Sequence, residues 1–112
     1  MAKQWFLGSK LRSETPVGTS RQVLAGSRVM TVVHQNDGTW QFLSDSPMLP
    51  SDWRVVHFYD IVALDSAVRQ FVRLPKGMVA VVDAGGEWRR LYFETDTEID
   101  AFFGSIDPSE QS

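Results

Sequence analysis

The chain has 112 residues, 43% hydrophobic and 22% charged, with a formal net charge of −3 and no cysteine. That size and composition fit one globular domain with enough Trp, Tyr and Phe to build a core unaided. The missing cysteine excludes disulfides, thiolate nucleophiles and Cys-based zinc sites, and the acidic balance weighs against a nucleic-acid binder that works by bulk electrostatics.

The N-terminal apolar run Trp5 to Leu7 is too short for a signal-peptide core. No apolar stretch of about 18 residues occurs, so the expectation is a soluble, cytoplasmic protein with no membrane span. Trp5 to Leu7 reads as a short strand, and GSKLRSETPVGTSR, which follows, reads as a polar, turn-rich loop. Residues 1–21 are thus taken as an N-terminal segment, 22–104 as a single α+β domain, and 105–112 as a polar tail.

The β-branched run Val29 to Val33 predicts a strand, with Gly26 marking a bend upstream. Asn36-Asp37-Gly38-Thr39 then separates it from a second run, Trp40 to Leu43. Asp-Gly at this place predicts a hairpin with a two-residue type I′ turn. With Asp37 and Gly38 central, Gln35 would oppose Trp40, His34 would oppose Gln41, Val33 would oppose Phe42, and Val32 would oppose Leu43.

SDSPMLPSDWR, residues 44–54, reads as a loop, with a short extended piece from Val55 to Phe58. Asp60 is placed to cap a helical turn, and Asp65 or Ser66 to cap a second helix reaching Val72. Leu64, Val68, Phe71 and Val72 would form its buried stripe, and Pro75 and Gly77 would stop it. MVAVVD and WRRLYFE form a second hairpin about Gly85-Gly86, with Asp83 opposite Trp88, Val81 opposite Arg90 and Val79 opposite Tyr92. Thr95 and Glu98 match a capping box for a last helix with Ile99, Phe102 and Phe103 on its apolar face and Gly104 at its end. The predicted architecture is an α+β domain. Its mostly antiparallel sheet is built from two β-hairpins, with short helices between them and a C-terminal helix.

Little in this pattern points to catalysis. His34 and His57 with Asp45 or Asp60 lack the spacing of a zinc motif, so a packed or surface histidine is the preferred reading and no metal is expected. Asp37, Asp60, Asp65 and Asp96 have turn or cap work to do, and no nucleophile–base pair, phosphate loop or cofactor motif is present. The protein is therefore read as no enzyme, with no cofactor. WRRLYF interleaves aromatic and basic residues as nucleic-acid platforms do, but a half-buried strand with Trp88, Arg90 and Tyr92 on one face, as a small cation–π cluster, is the simpler reading. Trp53, between Asp52 and Arg54 in a polar loop, either plugs the core edge, the favoured reading, or meets a partner.

AGSRVMTVVHQNDGTWQFLSD, VVHFYDIVALDSAVRQFVRLPKGMVAVV and GEWRR together resemble a small bacterial domain family. It is that of the immunity-protein-33-like domains of polymorphic toxin systems, long known only as a domain of unknown function. The resemblance rests on Ser27, on His34 to Phe42 with Asp37, Gly38, Trp40 and Phe42, on Asp60 to Asp65, and on Leu74, Pro75, Gly77, Ala80 and Trp88, and it spans roughly residues 23–90. It implies a protein that binds and neutralises a cognate toxin, and it carries over no catalytic residue. The surface expected to meet that partner is Asp45, Asp52, Trp53 and Arg54, with Glu87 and Arg89 near the second turn as outliers. The alternative is a small-molecule or peptide-sensing regulatory domain with a pocket near His34 or His57.

Overall fold

The computed structural model describes residues 11–46 and 48–104, so the strand expected at Trp5 to Leu7 and the tail expected after Gly104 lie outside the described residues. β1 (Pro16–Ser20), β2 (Thr31–His34), β3 (Trp40–Leu43), β4 (Trp53–His57), β5 (Met78–Val82) and β6 (Trp88–Tyr92) form one six-stranded sheet in the order β4-β1-β3-β2-β5-β6. α1 (Arg21–Leu24), α2 (Phe58–Leu64) and α3 (Asp96–Gly104) join them, with 3₁₀ turns at Pro50–Asp52 and Ser66–Phe71. The class is α+β, as expected. The sheet, however, is mixed and not a pair of hairpins, because β1 runs parallel to β3 and antiparallel to β4.

β1 is the strand the composition hides. Pro16 is tolerated as its first residue, where no ladder N–H is needed. Its last residue, Ser20, caps α1 by accepting the Val23 N–H at 3.2 Å. Thr19 is buried, and its hydroxyl donates to the Phe42 carbonyl at 2.6 Å, tying β1 to β3.

Both hairpins differ from the expected register by one residue, and for the same reason. Gln35 N–H donates to Thr39 O (2.9 Å) and Gly38 N–H to Gln35 O (2.9 Å), so three residues make the loop. His34 then opposes Trp40, Val33 opposes Gln41 and Val32 opposes Phe42. In the second hairpin Asp83 N–H donates to Glu87 O (2.8 Å), and Val82 opposes Trp88. A type I′ turn needs positive φ at both central residues, yet only Gly38 (φ 96°) and Gly86 (φ 85°) adopt it in these loops. Asp37 and Asp83 work through their carboxylates instead, accepting the backbone N–H groups of Thr39 (2.9 Å), and of Gly85 (2.9 Å) and Glu87 (3.0 Å). These bonds hold both carboxyls below the usual range, with the Thr39 hydroxyl leading at Asp37 and the Glu87 N–H at Asp83.

One sheet face buries Val17, Val32, Trp40, Phe42 and Ala80 against Val23, Phe58, Ile61, Val68 and Phe71 from α1, α2 and the second 3₁₀ turn. Leu64, expected in this stripe, is exposed instead. The other face buries Val33 and Val79 against Ile99 of α3. Among the described residues no helix is long and apolar enough to cross a membrane.

The caps behave largely as the residue types require. Asp60 accepts the His57 N–H (3.1 Å) at the start of α2, and Asp65 accepts the Ala67 N–H (3.2 Å) at the start of the second 3₁₀ turn. Thr95 and Glu98 close the capping box of α3, with Glu98 N–H donating to the Thr95 hydroxyl (3.1 Å) and Thr95 N–H to the Glu98 carboxylate (3.3 Å). Asp96 does more than start α3. Its carboxylate accepts the Asn36 N–H (2.6 Å) and the Asp37 N–H (3.2 Å), and so fastens the helix to the first hairpin.

Candidate functional site

α3 covers the second sheet face only around β2 and β5. Toward β4 the described residues leave that face open, and large apolar side chains on β4 and beside it in the chain are exposed. Leu49 is 62% exposed, Trp53 38%, Val55 66% and Tyr59 51%. The alternation of β4 places Trp53, Val55 and His57 on this face, and Tyr59 stacks on His57 with ring centroids 5.2 Å apart. The Trp53 indole lies against Gly18 of the neighbouring β1 and leaves no room for a side chain there. Trp53 is therefore neither a core plug nor a free side chain: one of its surfaces packs and the other faces solvent.

Two of the neighbours expected to act with it, Asp52 and Arg54, are engaged within the chain. Asp52 is buried at the end of its 3₁₀ turn. Its carboxylate accepts Gln22 Nε2 (3.1 Å), the Leu49 N–H (3.1 Å) and Arg21 Nε (3.0 Å). These bonds, the Gln22 amide first, hold its carboxyl down at about 2. Asp52 thus fastens the loop to α1. Arg54 folds back, donating Nη1 to the carbonyls of Ser51 and Trp53 at 2.8 Å each. Asp45 lies exposed in the bend beyond β3.

Glu87 and Arg89 are not brought to this place. They belong to β6 and its turn, at the opposite edge of the sheet, five inter-strand spacings or about 24 Å from β4. Arg89 Nε is engaged by Asp83 at 2.7 Å, while Glu87 remains exposed. The aromatic–basic strand does use its cation, though on another ring than expected. Arg90 lies 5.3 Å over Phe71, and Trp88 meets the same ring edge-on at 4.6 Å.

Beside Trp53 an open cleft of about 350 Å³ runs between Gly18, Gln35, Thr39, Gln41 and Val55. The Thr39 hydroxyl lies 2.7 Å from both Gln35 Oε1 and Asp37 Oδ1 and donates its one hydrogen to either. Among the described residues no three His, Asp or Glu side chains gather as a metal site requires.

No family model, curated protein or solved structure matches this chain.

His34 is only 1% exposed on the inner sheet face. Its Nδ1 lies 2.7 Å from the Leu74 carbonyl, which only accepts, so Nδ1 carries the hydrogen. Nε2 has no partner among the described residues, and the ring stacks on Trp40 at 3.8 Å. Burial lowers the imidazole's pKa below its ordinary 6.5, as does the nearby Lys76, against the Leu74 bond and Asp37. Protonation therefore favours the unfolded chain. This stabilising contribution is complete well above pH 6.5 and is lost as pH falls from 6.5 through the lower folded value. The melting temperature of the wild type should fall between about pH 7 and pH 5, and His34→Phe should flatten that part of the profile. An unchanged slope in His34→Phe would assign the acid sensitivity to another group.

Proposed function

We propose that the protein is a non-catalytic protein-binding domain, an immunity-like protein that neutralises a cognate bacterial toxin by occupying it directly. The observation that carries this reading is the set of exposed large side chains on the edge strand β4 and on either side of it in the chain, Leu49, Trp53, Val55 and Tyr59. Exposed apolar side chains grouped in this way mark interaction surfaces, and partly packed aromatics serve as interface anchors because they lose little freedom on binding. Trp53 has that character, held on Gly18 and open on its other side. The acidic balance of the chain would speed approach to a basic catalytic cleft. Neutralisation is then steric and needs no bond to form or break. The resemblance in the hairpin and Leu-Pro-x-Gly residues points the same way.

A sensing domain is the second reading, favoured only by the cleft beside Trp53. Gln35, Asp37, Thr39 and Gln41 are the polar groups that cleft offers to orient a small ligand.

Val55→Glu and Tyr59→Ala test the surface without touching the core, since both side chains are more than half exposed. The tagged protein, recovered from its source cells, should bring down a stoichiometric partner that arrests growth when expressed alone. Wild type should relieve the arrest, and the double variant should bind at least about ten-fold more weakly and fail to relieve it. A partner bound equally well by the variant would move the site elsewhere, and a partner without toxicity would end the immunity reading.

A further inference from the structure

The two edges of the sheet are finished differently. Phe58 N–H donates to Thr15 O, so β4 turns the backbone of residues 54 and 56 to β1 and that of 53, 55 and 57 outward. Three of those six outward groups are taken, at both ends of the strand: Trp53 N–H donates to Pro50 O, Trp53 O accepts Arg54, and His57 N–H donates to Asp60. These local bonds leave only Val55 at the middle of that edge for a further strand.

β6 has no such closure. The bonds Asp83 N–H to Glu87 O and Phe93 N–H to Gly77 O fix Arg89 and Leu91 as the residues facing β5. Trp88, Arg90 and Tyr92 therefore present N–H and C=O outward, and none of these groups has a bond among the described residues. The same residues share one face, where Trp88 and Arg90 rest on Phe71 and Tyr92 stays exposed. Arg90 forms no ion pair among the described residues, and neither do Arg69 and Arg73, which flank Phe71 in the chain. The open edge is thus backed by a packed aromatic and carries at its centre a positive charge without an ion-pair partner among the described residues.

We propose that β6 accepts an extended segment of a partner protein as a seventh strand, with an acidic residue of that segment opposite Arg90. Main-chain bonds to residues 88, 90 and 92 would supply the docking, and the carboxylate opposite the guanidinium would set the register. A second copy of this chain is a poor occupant. Antiparallel pairing centred on Arg90, the register that engages all three open residues of both copies, sets the two guanidiniums against each other. This edge lies across the sheet from Trp53, and its use does not depend on the surface proposed above.

Amide exchange on the full chain tests it, with two synthetic heptapeptides as probes, one alternating Val and Glu and the other alternating Val and Lys. The Trp88, Arg90 and Tyr92 amides should exchange rapidly in the free protein and become at least about ten-fold slower with the Val–Glu peptide. The Val–Lys peptide should leave them unchanged. Arg90→Gln should weaken the Val–Glu effect, and Arg90→Glu should transfer the protection to the Val–Lys peptide. Equal response to both peptides, protection appearing at Val55 instead, or no protection at all would overturn the proposal. Protection that rises with protein concentration alone would assign the edge to a second copy and overturn it as well.

Discussion

Phe42→Ala should lower the unfolding free energy by about 4 kcal/mol, a large part of what a small domain has. Phe42 is fully buried in β3, between Trp40 (centroids 6.3 Å apart, 8° between planes) and Phe58 (5.5 Å, 34°). It is also the residue on which two pairings converge, facing Val32 of β2 on one side and Thr19 of β1 on the other. Truncation leaves a hole between strands held by backbone bonds on both sides, so the surroundings have little freedom to collapse into it. Phe42→Leu, which keeps most of the volume, should cost only about 1 kcal/mol. Urea titrations of the three proteins decide the matter, and near-equal midpoints for wild type and Phe42→Ala would mean that this core is not packed as described.

Gly77→Ala should cost about 3 kcal/mol, against about 1 kcal/mol for Gly86→Ala. Both glycines have nearly the same left-handed backbone, φ 86° and 85°, so the intrinsic strain of adding a side chain is alike. Their surroundings are not. A Cβ on Gly77 would lie 2.6 Å from the Phe93 carbonyl oxygen and 3.1 Å from Asn36 Oδ1, whereas one on Gly86 meets nothing within 4 Å. Nor can the backbone at 77 retreat, since its N–H donates to His34 O (2.7 Å) and its carbonyl accepts Phe93 N–H (2.8 Å). The difference between the two variants in urea therefore isolates the steric contact. Equal losses would place the whole effect in the φ angle and none in the crowding.

The parts of this fold that were legible in the sequence are those whose causes are local. The Thr95–Glu98 box, the Asp65 cap and the four strands of the two hairpins are each written within a few residues of where they act. The hairpin registers slipped because Asp-Gly and Gly-Gly allow a two-residue and a three-residue loop alike. The choice was made by carboxylate bonds from Asp37 and Asp83 that a dipeptide rule does not see. β1 was illegible because Pro16, Gly18 and Ser20 have loop composition. Gly18 is explained only by an indole far along the chain, and the strand exists only because β3 and β4 bracket it. Asp52 looked free for the same reason: its partners Gln22 and Arg21 lie 30 and 31 residues away. Of the candidate surface, Trp53 could be singled out by its odd loop context. Val55 and Tyr59 could not, since nothing in their neighbours told that α3 stops short of them.

β4 touches the sheet through β1 alone, and β1 reaches it from a different part of the chain than the hairpins do. The two hairpins can form and join through β2 and β5 without either strand. The sheet therefore divides into a four-stranded part, β3-β2-β5-β6, and a two-stranded wing, β4-β1, that joins it through β3 alone. Loss of β1 would remove β4's only strand partner, so the two strands are expected to open together. Trp53, Val55 and Tyr59 all ride on that wing or just beyond it. A partner that grips them would thereby stiffen the wing, and part of its binding energy would be spent on suppressing the fluctuation of β1 beneath it.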